Sequence, residues 1–152
     1  MRIKLLKYKQ PNNWTCGPAC LKVVLDYFGI RKELDELIRE LKTTEKEGTD
    51  TPEIRKLLKR YHLRFMFREN ASLENLKKYL RNHLVIVSFW IPYYKESHYS
   101  IVKKINSERI YLHDTWFGSN HCLKINYFLK NWYDEDCTGW LMAITKQKDS
   151  LS

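Results

Sequence analysis

Leu21, Val24, Leu25 and Phe28 recur at the spacing of a helix with one buried stripe. The pattern predicts a first helix from near Thr15 to Gly29. Thr15 suits an N-cap, Pro18 in the first turn gives up only an N–H that has no partner there, and Gly29 suits the stop. Leu34, Leu37, Ile38 and Leu41 repeat the period and predict a second helix from about Lys32 to Lys42. A third begins with Thr51 as N-cap, Pro52 at the first helical position and Glu53 in the first turn, and runs to about Tyr61.

Beyond this point the period shortens to two. Leu63, Phe65 and Phe67 alternate with polar residues and predict a strand from His62 to Arg68. Ser72 caps a short helix to about Asn82, and the continuous apolar run from Leu84 to Trp90 reads as a central strand buried on both faces. Strands from about His98 to Ile105 and from Arg109 to Asp114 flank a turn at Asn106-Ser107-Glu108. A short helix from Ile125 to Tyr133 and a last strand from Gly139 to Thr145 follow. The chain changes from mostly helical to mostly stranded near Glu69-Asn70-Ala71. The expectation is an α+β protein whose N-terminal helical half packs on a C-terminal antiparallel sheet.

At 152 residues the chain suits a single domain over 1–152, and 43% apolar with 30% charged residues supports a soluble core rather than disorder. Lys plus Arg exceed Asp plus Glu by 27 − 18 = 9. That excess raises the question of nucleic acid, but the densest basic group (Arg55, Lys56, Lys59, Arg60, Arg64 and Arg68) spreads over a helix, a turn and a strand. It is expected to be a solvated face, so nucleic-acid binding is disfavoured. The longest apolar run is too short to span a bilayer, and the basic N-terminus has no apolar segment of a secretory signal, so a cytoplasmic protein is expected.

In a reducing compartment the four cysteines are free thiols, inert or reactive. Cys20, inside the first helix, reads as core. Cys16 stands at the mouth of that helix, where unpaired N–H groups and the helix dipole favour a thiolate and face a developing oxyanion on a substrate carbonyl. Gly17 is expected to keep that backbone open to approach. Gln10, in a loop six residues earlier, is placed to add a second oxyanion hydrogen bond.

A thiolate nucleophile needs an imidazole partner, and the imidazole needs an orienter. His62 and His83 fall at element ends among charges. His98 begins a strand and Asp114 ends the next. An odd connection would pair Ile105 with Arg109, set Ser100 opposite Asp114 and make His98 its diagonal neighbour, about 7–8 Å away at the backbone. An even connection would turn Asp114 to the other face. A His98–Asp114 pair therefore requires an odd loop, or a bulge that restores parity.

The segment Gln10, Cys16-Gly17-Pro18-Ala19-Cys20-Leu21 resembles the active-site segment of the C39 family of papain-like cysteine peptidases, the bacteriocin-processing peptidases and their stand-alone relatives. His98-Tyr99-Ser100-Ile101-Val102 and Ile110-Tyr111-Leu112-His113-Asp114 are similar to that family's histidine and aspartate strands. Gly48-Thr49 and Gly139-Trp140 also fit its pattern. The resemblance implies the papain-like fold and a thiol protease hydrolysing peptide bonds, with Cys16 as nucleophile, His98 as general base and acid, Asp114 as its orienter and Gln10 as oxyanion donor. Where the family usually carries proline after the aspartate, this chain has Thr115, expected to loosen the loop without removing a catalytic group. The bacteriocin processors precede a transporter in one long chain. No transporter is expected within this chain, which leaves double-glycine leader specificity open; a membrane transporter is a candidate partner.

Alternatives remain open from sequence: acyl transfer by the same residues, or a catalytically silent peptide-binding module of C39 type. His113, His121, Cys122 and Cys137 have poor spacing for zinc, so no metal and no cofactor are expected; the expected partner is a peptide or protein substrate. Trp14 and Trp116 adjoin candidate residues and are candidates for lining a cleft, and Tyr93-Tyr94-Lys95 for covering it.

Overall fold

The computed structural model describes residues 4–135 and 138–146. The element order is α1 (Cys16–Tyr27), α2 (Leu34–Glu40), α3 (Thr51–Arg60), β1 (Leu63–Arg68), α4 (Leu73–Leu80), β2 (Leu84–Ile91), β3 (Glu96–Ile105), β4 (Arg109–Asp114), β5 (Gly118–Lys124), α5 (Ile125–Asn131) and β6 (Leu141–Lys146). The strands form one antiparallel sheet in the order β1-β6-β2-β3-β4-β5.

The helices follow their predicted stripes, with local corrections at their starts. Thr15 occupies the N-cap of α1, but its hydroxyl donates to Asn12 Oδ1 at 2.8 Å instead of capping the helix. The chain leaves α1 through Phe28 into Gly29, whose φ of +85° is the left-handed conformation that favours glycine after a helix. In α3 the N-cap is Asp50, so Thr51 is already helical and Pro52 sits one position further in. Ser72 caps α4 as expected, in a reciprocal box with Asn75.

Helices cover both faces of the sheet rather than one. Leu84 and Ile86 of β2, with Met142 and Ile144 of β6, face the buried stripes of α1, α2 and α3. Val85, Val87 and Phe89, with Leu141 and Ala143, face α4 and α5 through Leu76, Tyr79 and Phe128. This is why the apolar run of β2 does not alternate: both of its faces are core. The basic group along α3 and β1 lies over the surface as expected, with the Arg55 guanidinium 4.5 Å from the Phe67 ring centroid and Lys56 paired with Glu53 at 3.2 Å.

Strand β5 was not predicted. Its sequence, Gly-Ser-Asn-His-Cys-Leu-Lys, has no β-branched residue and only one large aliphatic. It is the outer strand beside β4, and none of its side chains is fully buried; Leu123 packs on the core while its neighbours stay partly in solvent. A polar edge strand hides its signal from an apolar pattern, and the same polarity guards the edge against further pairing.

The β3–β4 hairpin has the alternative geometry the sequence allowed. Ile105 pairs with Ile110 instead of Arg109, which makes the connection even. Asn106 organises it: Oδ1 accepts from the backbone N–H of Glu108 at 2.9 Å and of Arg109 at 2.7 Å. A bulge between Val102 and Lys104 then shifts the register, so that Val102 pairs with Leu112 and Ile101 with His113. The bulge is visible in the packing: Val102 and Ile105 both meet the same core, three positions apart, with Lys103 and Lys104 between them. Parity is restored, and Ser100 comes opposite Asp114.

Candidate active site

Asp114 ends β4, and its carboxylate builds the turn that follows. Oδ1 accepts the backbone N–H groups of Trp116 at 2.8 Å and Phe117 at 2.9 Å, which folds residues 115–117 back into β5. The Ser100 hydroxyl donates to Oδ2 at 2.7 Å from the neighbouring strand. His98 Nε2 lies 2.8 Å from Oδ1 and 2.9 Å from Oδ2. A carboxylate with this many donors has one orientation, and it sets that of the ring it holds.

His98 is buried, with the edges and faces of Phe89 and Phe117 against its ring at centroid distances of 5.8 and 5.7 Å. Because an ionised carboxylate only accepts, Nε2 carries a hydrogen and donates it to Asp114, which leaves Nδ1 as the ring nitrogen free for other chemistry. Burial works to lower the His98 pKa; the hydrogen bond and charge of Asp114 outweigh it, and hydrogen bonding and charge from Cys16 add to the rise. Asp114 shows the counterpart. Burial works to raise its pKa, but the His98 hydrogen bond and charge, then Phe117 N–H and Ser100, hold it below the usual carboxylate range. Both directions describe an imidazolium–carboxylate pair.

Cys16 is the first residue of α1 and is half-buried. It lines a cleft of about 410 Å³ together with Trp14, Thr49 and Tyr99. Among the described residues, Glu45, Glu47, Asp50, Glu96, Asp134 and Glu135 line the same cleft with one cation, Lys46. Gly17 has a different task from the one expected: its missing side chain admits Thr49, whose Cβ would lie 2.6 Å from a Cβ at residue 17. The Thr49 carbonyl accepts from the Tyr99 hydroxyl at 2.7 Å, tying the cleft wall to β3. Cys20 is core, as expected, and burial pushes its thiol pKa well up.

Gln10 and His98 line a small cavity with Trp116 and Tyr94, and this cavity shares Asn13 and Glu96 with the Cys16 cleft. Gln10 is only 2% exposed, far from an ordinary surface glutamine. Its Nε2 donates to the Asn12 carbonyl at 2.8 Å, its Oε1 accepts from the Thr115 hydroxyl at 2.8 Å, and its backbone N–H donates to the Thr115 carbonyl at 2.9 Å. Thr115 therefore does not loosen the loop; it is 2% exposed and ties the segment of Gln10 to that of Asp114. Lys9 reinforces the tie by donating to the Trp116 carbonyl with its ammonium 4.6 Å from the indole centroid.

The structure joins His98 to Asp114 by hydrogen bonds, seats Gln10 in the same small cavity as His98, and places Cys16 in the neighbouring cleft, where it adds to the rise of the His98 pKa. Trp14 and Trp116 line these spaces, as does Tyr94, while Tyr93 points into solvent at 88% exposure. Sequence reasoning missed Ser100 and Thr115 as supports. The strand register put Ser100 opposite Asp114, which was the available signal; Thr115 acts across the fold and had none. Of the residues weighed for zinc, His113 Nε2 meets the Leu6 carbonyl at 2.8 Å and His121 stacks on Phe117. Cys137 lies outside the described residues, and among those residues no cluster of metal-ligating side chains forms.

The model of the Peptidase C39 family matches residues 6–148, and the chain belongs to that family. The fold agrees with solved C39 peptidase domains. One is a double-glycine motif protease from an AMS/PCAT transporter, in complex with its leader peptide, at a TM-score of 0.76 and 19% identity over 96% of this chain and 94% of that one. Another is the peptidase domain of Streptococcus ComA, a bifunctional ABC transporter of a quorum-sensing pathway, at a TM-score of 0.77 and 20% identity over 95% and 99% of the two chains. No curated protein matches the chain by sequence. Among the described residues no helix is long and apolar enough to cross a membrane.

Proposed function

We propose that this member of the C39 family is a cysteine peptidase that hydrolyses peptide bonds with Cys16, His98 and Asp114 as its triad and Gln10 as an oxyanion donor. The observation that carries the reading is the double engagement of His98: Nε2 is committed to Asp114, and Cys16 acts on the same ring.

In this reading the Cys16 thiolate attacks the carbonyl carbon of a peptide lying in the cleft. The carbonyl oxygen becomes an oxyanion and takes hydrogen bonds from the Cys16 backbone N–H, unpaired at the start of α1, and from the second N–H of Gln10 Nε2. His98 gives its Nδ1 proton to the leaving amine as the C–N bond breaks. A thioester remains on Cys16. Water then attacks the thioester, with neutral His98 taking its proton, and Cys16 leaves as thiolate beside a recharged imidazolium. Asp114 stays ionised and holds the ring through both halves. The substrate is a peptide or protein segment, and the setting is a reducing compartment such as the cytoplasm, in which Cys16, Cys20 and Cys122 persist as free thiols.

The test is cleavage of a peptide library read by mass spectrometry, beside the Cys16→Ala variant. Cleavage by the wild-type chain that vanishes in the variant is the expected result. Equal cleavage by both, or none by either under reducing conditions, overturns the reading.

A further inference from the structure

Gln10 has an amide whose two ends are told apart by its partners. The Asn12 carbonyl only accepts, so the atom 2.8 Å from it is the nitrogen. The oxygen end is then left for Thr115, and the hydroxyl at 2.8 Å must be the donor. One N–H of Nε2 is spent on Asn12, and one remains. Without the Thr115 hydroxyl, the buried Oε1 would lose the donor it has here, and the amide would gain by turning to seek another. Thr115 also accepts the Gln10 backbone N–H, so both the main chain and the side chain of Gln10 are referenced to the same residue. That residue directly follows Asp114, whose carboxylate holds His98.

From this geometry, and resting on the reading of Gln10 as oxyanion donor, we propose that Thr115 is a positioning residue: its hydroxyl fixes the Gln10 amide so that the remaining Nε2 hydrogen serves the oxyanion. Residues 114 and 115 then act as a pair, one orienting the proton carrier and the other the oxyanion donor. A proline at position 115, where the family resemblance leads one to expect it, has no hydroxyl to do this.

The experiment compares Thr115→Val, which keeps the shape and removes the hydroxyl, with Thr115→Ser, which keeps the hydroxyl. Each is made alone and in a Gln10→Ala background. Peptide hydrolysis, the alkylation rate of Cys16 by iodoacetamide, and the order parameter of the Gln10 side-chain amide by NMR are measured. Thr115→Val is expected to lower kcat about tenfold, the loss of one hydrogen bond's worth of alignment, with little change in KM. Thr115→Ser is expected to stay near wild type, and Thr115→Val is expected to cost nothing further once Gln10 is alanine. Alkylation of Cys16 builds no tetrahedral oxyanion, so its rate is expected to hold in Thr115→Val. The Gln10 amide is expected to be rigid in wild type and in Thr115→Ser, and loose in Thr115→Val.

A rigid Gln10 amide in Thr115→Val overturns the proposal, as does a kcat loss of the same size in the Gln10→Ala background. A parallel fall in alkylation also overturns it, because the effect would then run through Asp114 and His98. Full kcat in Gln10→Ala alone removes the oxyanion role, and the functional half of the proposal with it. A wild-type chain with no hydrolysis but with the amide response intact separates the failures: the peptidase reading falls while the positioning stands.

Discussion

The His98–Asp114 pair concentrates the electrostatics of the site in two side chains. His98 is raised above its ordinary value, so the stability it contributes is full below the unfolded histidine value of about 6.5 and fades as pH rises through the raised folded value. Asp114 is lowered, so its contribution is full above the unfolded carboxylate value of about 3.9 and is lost as pH falls through the lowered one. The stability gap between wild type and Asp114→Asn is therefore expected to be widest between about pH 4 and 6.5 and to narrow on either side, as read by urea unfolding across pH. The proposed catalysis follows the same sign. The alkaline limb of kcat/KM is expected above the ordinary histidine value, and Asp114→Asn is expected to move it down by a unit or more, with a kcat loss of about 10²-fold or greater. A third residue-scale expectation concerns thiols: peptide mapping after limited iodoacetamide treatment should find Cys16 labelled before Cys20, which is 1% exposed and held protonated by burial.

At the scale of elements, the β3–β4 hairpin decides whether the pair exists. The even connection alone would send Asp114 to the wrong face; the bulge at Lys103 reverses that. Deleting Lys103 removes the extra residue, and the strand must either turn His98 away from Asp114 or turn Val102 out of the core. The deletion is expected to lower kcat/KM by about 10²-fold or more, with loss of the downfield His98 ring N–H signal in NMR. The start of α1 offers a second expectation. Gly17→Ala places a Cβ 2.6 Å from the Thr49 Cβ, which no side-chain rotation relieves, and should destabilise the chain by about 1–3 kcal/mol in chemical denaturation. Much of this level was legible beforehand: α1, α3, α4 and β2 lie close to where their stripes, caps and runs put them, because each is a local pattern. β5 was not legible, because none of its side chains is fully buried and its one large aliphatic, Leu123, sets up no alternation.

Across the whole molecule, charge is unevenly distributed. In a chain with an excess of nine basic residues, the described residues along the Cys16 cleft include six carboxylates and one lysine. The local field therefore opposes the net charge, and it falls on the cleft in which the proposed peptide substrate would lie. Peptides with lysine or arginine flanking the scissile bond are expected to be cleaved with kcat/KM about tenfold above acidic counterparts at low salt. The preference is expected to shrink as ionic strength rises from about 0.05 to 0.5 M, because screening shortens the reach of the field. Equal rates for basic and acidic peptides, or a preference untouched by salt, would contradict this. The two-sided burial of the sheet serves the same site: α1 delivers Cys16 from one face of the sheet, while His98 and Asp114 are mounted where β3 and β4 end.

What sequence alone determined is local: the helix that presents Cys16, the strands that bear His98 and Asp114, and the ordered residues Gln10, Cys16, His98 and Asp114 on which the family resemblance rests. These follow from spacing, capping and residue chemistry, which act over a few positions. Tertiary structure decided the rest. It set the parity of the hairpin, which turns on one inserted residue and on which side chains find core. It filled the space beside Gly17 with Thr49 instead of leaving it open. It turned Thr115 from an irregularity after the aspartate into a partner for Gln10, more than a hundred positions away. Such contacts depend on distances between segments that no local pattern encodes, so they exist only once the chain has closed on itself.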